Sequence, residues 1–125
     1  MKKVMEFILV AVVAVGIGVF GAAGIGNAAS PLKTGTGANA EAIAHNDEGI
    51  KHYDLGHWDV ASEHFCEAVK ADENAAEAHY NMALSLDKMG KHMDAAKHFK
   101  HASDLGQDNP DIKNSGILKA HLKML

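Results

Sequence analysis

The sequence predicts an all-α fold in which helical hairpins stack as a short array behind an apolar leader. Two observations carry that prediction. Gly56, Ala61, Phe65 and Ala68 recur 34 residues later as Gly90, Ala95, Phe99 and Ala102, and His45 recurs as His79. A fixed period of this length marks stacked helix-turn-helix units, none of which buries its apolar face without a neighbour. Second, 125 residues, with a 47% hydrophobic content inflated by the N-terminus, leave room for one small domain beside the leader.

The leader spans residues 1–29. Lys2 and Lys3 precede an uncharged apolar run over 7–25, followed by the small residues Gly26, Asn27, Ala28 and Ala29. Positive start, apolar core and small-residue exit form the layout of an export signal, with Gly26 and Ala28 suited to a peptidase site. Two readings stand. Gly16, Gly18, Gly21, Gly24 and Gly26 dilute the second half, as in a cleaved signal peptide. The length of the run, and the small residues Ala14, Gly18, Ala22 and Gly26 at four-residue spacing, suit a retained transmembrane anchor. Either delivers the remainder out of the cytoplasm, to the periplasm or the outer face of the inner membrane of a bacterium. Residues 30–40 are rich in Pro, Gly, Thr and Asn without periodicity, which predicts a flexible, disordered linker.

The helical domain occupies 41–125. In the first unit, about 42–75, Ile43, Ile50 and Tyr53 share one face of a helix over 42–55, Gly56 makes the hairpin turn, and a second helix covers 58–71. Small Ala61 and Ala68 bracket Phe65, so a neighbouring helix can approach while the ring fills the space between turns. The second unit, about 76–109, repeats this with helices over 76–89 and 93–105 around Gly90. Pro110 suits the first turn of a last helix, 110–125, whose Ile117, Leu118, Leu122 and Leu125 can cover the second unit's exposed face.

This pattern resembles the tetratricopeptide repeat. His45, Gly49, Gly56, Ala61, Phe65 and Ala68 in the first unit, and His79, Ala83, Gly90, Ala95, Phe99 and Ala102 in the second, fall at that motif's offsets. Glu48, His52 and Glu73 depart from its usual Leu, Tyr and Pro. The resemblance implies a right-handed superhelix whose first helices line a concave groove that holds an extended or helical segment of another protein. Carried over by position, the groove residues are Ile43, Asn46, Ile50, Tyr53 and Asp54, then Glu77, Tyr80, Leu84, Asp87 and Lys88. Apolar anchors there supply affinity and carboxylates choose register. Relatives that grip acidic peptide termini use several Lys and Arg, and this groove has Lys88 alone.

Charge excludes one partner class. The chain has 12 Lys against 16 acids; without Lys2, Lys3 and Glu6 the part beyond residue 29 has 10 against 15, a balance of −5. No Arg occurs, so nucleic acid is not expected as a partner. Cys66 is the single cysteine, which rules out an internal disulfide or a cysteine-based zinc site. No nucleophile motif or phosphate-binding glycine loop is present, so the sequence does not point to an enzyme and implies no cofactor.

Nine histidines raise a second reading. Asp94, His98 and His101, and likewise His45, Glu48 and His52, share a helix face and offer two imidazoles and a carboxylate to zinc, copper or nickel. Most of these histidines also fit as ordinary repeat residues, so no metal site is assigned from sequence. Protonating all nine would take the exported part from −5 to +4, an opening for pH-dependent binding. The sequence thus points to an exported protein-protein interaction module, an adaptor or assembly factor, able to self-associate because two units make a short array. The alternative is a His-rich periplasmic metal-binding or buffering protein.

Overall fold

The computed structural model describes residues 29–125. The leader therefore lies outside the described residues, except for Ala29. Among the described residues there are helices and no strands, and no helix is long and apolar enough to cross a membrane. The helices are α1 (Ala40–Asp54), α2 (Trp58–Ala71), α3 (Ala76–Lys88), α4 (His92–Leu105), α5 (Pro110–Lys113) and α6 (Gly116–Leu122).

They pack as two hairpins, α1 on α2 and α3 on α4. Helix α2 joins the pairs by packing on α3, and α6 closes the far side against α4. Local chemistry sets each boundary. Asn39 caps α1 by accepting from the Ala42 N–H at 2.8 Å, which satisfies one of the free donors at a helix start. Gly56 and Gly90 end the first helix of each hairpin with φ of 82° and 79°. That left-handed backbone is open to glycine at little cost, and its recurrence in the two turns explains the repeated residue.

The core runs through both hairpins. Ala61, Phe65 and Ala68 of α2 and Ala95, Phe99 and Ala102 of α4 are fully buried, so the repeated residues are the packing residues. Tyr80 meets Phe99 edge-on with ring centroids 5.5 Å apart, and Tyr53 meets Trp58 at 5.0 Å, the tilted geometry that aromatic quadrupoles favour.

Two sequence expectations change. The single last helix is two short ones. Asn109 caps α5 through Asp111 N–H and Pro110 takes its first turn; the chain then breaks at Asn114, and Ser115 Oγ caps α6 by accepting from Leu118 N–H at 3.3 Å. A Ser-Gly pair in that place competes with helix propagation and restarts it instead. Residues 30–40, expected as a disordered linker, instead follow a defined course: 30–39 run beside α1 and α3, fixed by contacts described below, and Ala40 opens α1.

Close packing generates a test. A Cβ on Gly49 would stand 2.5, 2.6 and 3.0 Å from three carbons of the Phe65 ring, and that ring is wholly buried with nowhere to move. Alanine is otherwise a better helix residue than glycine by up to about 1 kcal/mol. The clash outweighs that gain: Gly49→Ala should destabilise the fold by about 1–2 kcal/mol net, read as a lower urea midpoint at unchanged slope.

Candidate functional site

The seam between α1 and α3 holds the chain's own residues 29–38. At its centre is Asn81, fully buried in α3. Its Oδ1 accepts the Leu32 N–H at 2.7 Å, and its Nδ2 donates to the Leu32 carbonyl at 2.7 Å and to Asn46 Oδ1 at 2.8 Å. Asn46, also fully buried, donates its own Nδ2 to the same Leu32 carbonyl at 2.9 Å. One carboxamide thus serves both polar groups of a single residue, as a neighbouring strand does when two residues exchange both N–H···O bonds. These bonds read main chain rather than side chain.

Flanking contacts are weaker. Lys33 Nζ reaches Asp47 Oδ1 at 3.0 Å on the surface, an exposed pair of the kind that contributes little. Leu32 and Ala29 lie partly buried against the central core cluster. At the end of the segment, Asn39 ties back to the α2 C-terminus, where its N–H meets Asp72 Oδ2 at 3.3 Å and its Nδ2 donates to the Ala71 carbonyl.

The ten residues assigned to the groove from sequence separate into four groups. Asn46 grips Leu32, while Ile43 and Ile50 are half-buried and Tyr53 is buried at its hairpin end. Burial, then the nearby Asp87 charge, pushes the Tyr53 hydroxyl up to about 12. Glu77, Tyr80 and Asp87 face the C-terminal segment: Glu77 Oε1 accepts from Asn109 Nδ2 at 3.0 Å, Tyr80 shares a 2.9 Å bond with Ser115, and Asp87 meets His92 and His121. Leu84, 1% exposed, belongs to the core. Asp54 and Lys88 are exposed, and the Lys88 ammonium stands 5.4 Å from the centre of the Trp58 ring, within cation–π range.

Part of the face expected to be free is therefore occupied, by the chain's own Leu32 near α1 and by the C-terminal segment beside α3, while Asp54 and Lys88 stay exposed. Asn81 was missed in the sequence because it stands 35 residues, not 34, after Asn46. That offset removes it from the repeat's equivalent positions and turns it by one helical step toward α1. The available signal was an asparagine set among the apolar residues Tyr80, Met82, Ala83 and Leu84, where helix interiors are otherwise nonpolar.

His45 and His79 each pair with a histidine on the other helix of their own hairpin. His45 Nδ1 lies 3.5 Å from His64 Nδ1, and His79 Nδ1 lies 3.3 Å from His98 Nδ1, the same contact in each unit. Glu48 goes to Lys51, His52 faces His57, and Asp94 goes to Lys97. Neither trio anticipated for a metal is assembled: among the described residues, the set of three metal-type side chains with ligand atoms within 4.8 Å of one another is Asp87, His92 and His121. Helix period put each trio on one face, and the partner helix then drew the rings to itself.

The chain matches no family model, no curated protein and no solved structure.

The His79–His98 pair makes stability depend on pH. His79 Nε2 faces the Glu73 carbonyl at 3.0 Å, so it carries the hydrogen and leaves Nδ1 to accept from His98. Burial holds both rings neutral. It lowers His79 from its usual value, and with the charges of His79, His101 and Lys97 it lowers His98 to about 4, against an opposing pull from Asp94. The unfolded chain therefore binds more protons between its ordinary pKa of about 6.5 and about 4. The pair's contribution is complete above pH 6.5 and lost as pH falls through 4. Urea midpoints at pH 7.5 and 4.5 should show this loss in the wild type, and His98→Leu should lose less; equal losses would show that the pair does not titrate on unfolding.

Proposed function

We propose that this chain is a protein-protein interaction module of tetratricopeptide type, whose Asn46–Asn81 pair grips the main chain of an extended segment. One observation carries the reading: both polar groups of Leu32 are held by buried asparagine carboxamides at 2.7–2.9 Å. Such bonds are indifferent to side-chain identity, so another extended segment offers the same N–H and C=O. The repeated glycine turns and alternating Ala-Phe-Ala packing support the repeat assignment. Export rests on the leader's composition alone, and an adaptor or assembly role on the want of any catalytic motif in the sequence.

On this reading residues 29–38 act as a resident occupant that a partner segment displaces. Each of the hydrogen bonds contributes about 1 kcal/mol net, so the occupant is held firmly enough to fill the seam and weakly enough to exchange. Local tethering raises its effective concentration, which a free competitor has to overcome. The alternative of metal buffering by the histidine-bearing faces would leave peptide capture untouched by the asparagines.

Two substitutions move capture in opposite directions. Leu32→Pro removes the N–H that donates to Asn81, weakens the resident segment, and should increase retention of displayed extended peptides by the full-length chain. Asn81→Ala removes the grip and should abolish it. Panning a random extended-peptide library against both variants reads the difference; equal retention by the two would place the binding surface elsewhere.

A further inference from the structure

Tyr53, Asp87 and His121 stand 34 residues apart in succession. Stacking brings such equivalent positions side by side, which is how α6 presents His121 to α3. The His121 ring is buried, 8% exposed, and packs on Phe99 with centroids 5.0 Å apart. Its Nδ1 lies 2.9 Å from the Ile117 carbonyl one turn earlier. A carbonyl oxygen only accepts, so Nδ1 carries the hydrogen.

That assignment decides what stands at the other nitrogen. His121 Nε2 lies 2.8 Å from Asp87 Oδ1, and an ionised carboxylate has no hydrogen to give. A neutral ring would aim a lone pair at an anion. The geometry therefore calls for a cation between the two, a proton or a metal ion. From the first turn of α4, His92 brings Nδ1 to 2.8 Å from the same carboxylate oxygen. The three ligand atoms lie within 4.8 Å of one another.

We propose that Asp87, His92 and His121 form a site for a divalent first-row ion, of the zinc, nickel or copper(II) class, that clips α6 to the α3–α4 turn. Two imidazoles and a carboxylate are the donor types these ions take, with coordination distances near 2.0–2.2 Å. The hydrogen bond from His121 Nδ1 to Ile117 is the outer contact that fixes tautomer and ring direction in metal-binding histidines. His92 is exposed and already holds its nitrogen against Asp87, while buried His121 and half-buried Asp87 supply the inner edge. Solvent provides the remaining ligands. This site is independent of the asparagine seam, since none of its residues touches Leu32 through a hydrogen bond.

Isothermal titration of zinc chloride into the full-length chain at pH 7.5, in mild detergent, tests the site. One ion per chain should bind at micromolar or lower concentration and raise the unfolding temperature. His92→Ala, an exposed change that leaves the fold intact, should weaken binding by at least the roughly tenfold that even outer contacts to a metal contribute, and should remove the thermal shift. His98→Ala, in the other histidine group, should change neither. Absence of zinc binding would overturn the proposal and leave a proton as the cation. Wild-type affinity in His92→Ala, or its loss in His98→Ala, would overturn it equally.

Discussion

Helix α3 is buried over most of its surface, and the cover it needs shapes the rest of the molecule. Nine of its 13 residues are buried: alanines and leucines, but also His79, Asn81 and Ser85. Apolar positions are met by α2 on one flank and α4 on the other. The polar positions need partners that a packed helix surface does not supply, because an unpaired buried amide costs about 1–3 kcal/mol. His98 answers His79, Leu32 and Asn46 answer Asn81, and Ser115 answers the hydroxyl of Tyr80, while Ser85 Oγ has no hydrogen-bond partner among the described residues. Each of these partners comes from a different part of the chain. The segment before α1 and the helices after α4 are thus held in place by the polar requirements of one central helix.

The same logic connects stability to recognition. A segment whose main chain satisfies buried asparagines is part of the fold while it is there, and its removal exposes groups that want an equivalent replacement. Extended chain offers that replacement at every residue. The covering at the other end differs in kind: a carboxylate facing two imidazoles answers to cations rather than to amides. One helix therefore carries two chemically distinct points of attachment, one near Asn81 and one at Asp87, separated along its length.

Much of the fold is readable from residue spacing, for a physical reason. Gly56 and Gly90 mark turns because of backbone conformation, and Ala61, Phe65, Ala95 and Phe99 mark packing through side-chain size, so both leave a periodic trace. The course of residues 30–39 leaves none, because Leu32 is held through its backbone and its side chain plays a lesser part. The histidines are misleading along the helix, since His98 meets His79 of the partner helix while Asp94, on its own face, goes to Lys97. The break at Ser115 was hidden by apolar periodicity that continues through it at Ile117 and Leu118. Position in the repeat points Asp87 to a groove, and only the path of α6 reveals that His92 and His121 meet it.

The central claim is that the asparagine pair holds main chain exchangeably. Amide hydrogen exchange at Leu32 measures this most directly, followed in the intact chain with and without excess of a synthetic peptide copying residues 29–38. The account expects a protected Leu32 amide that loses protection as the peptide takes its place. An amide that exchanges freely from the start, or one whose protection the peptide leaves unchanged at saturation, would contradict it.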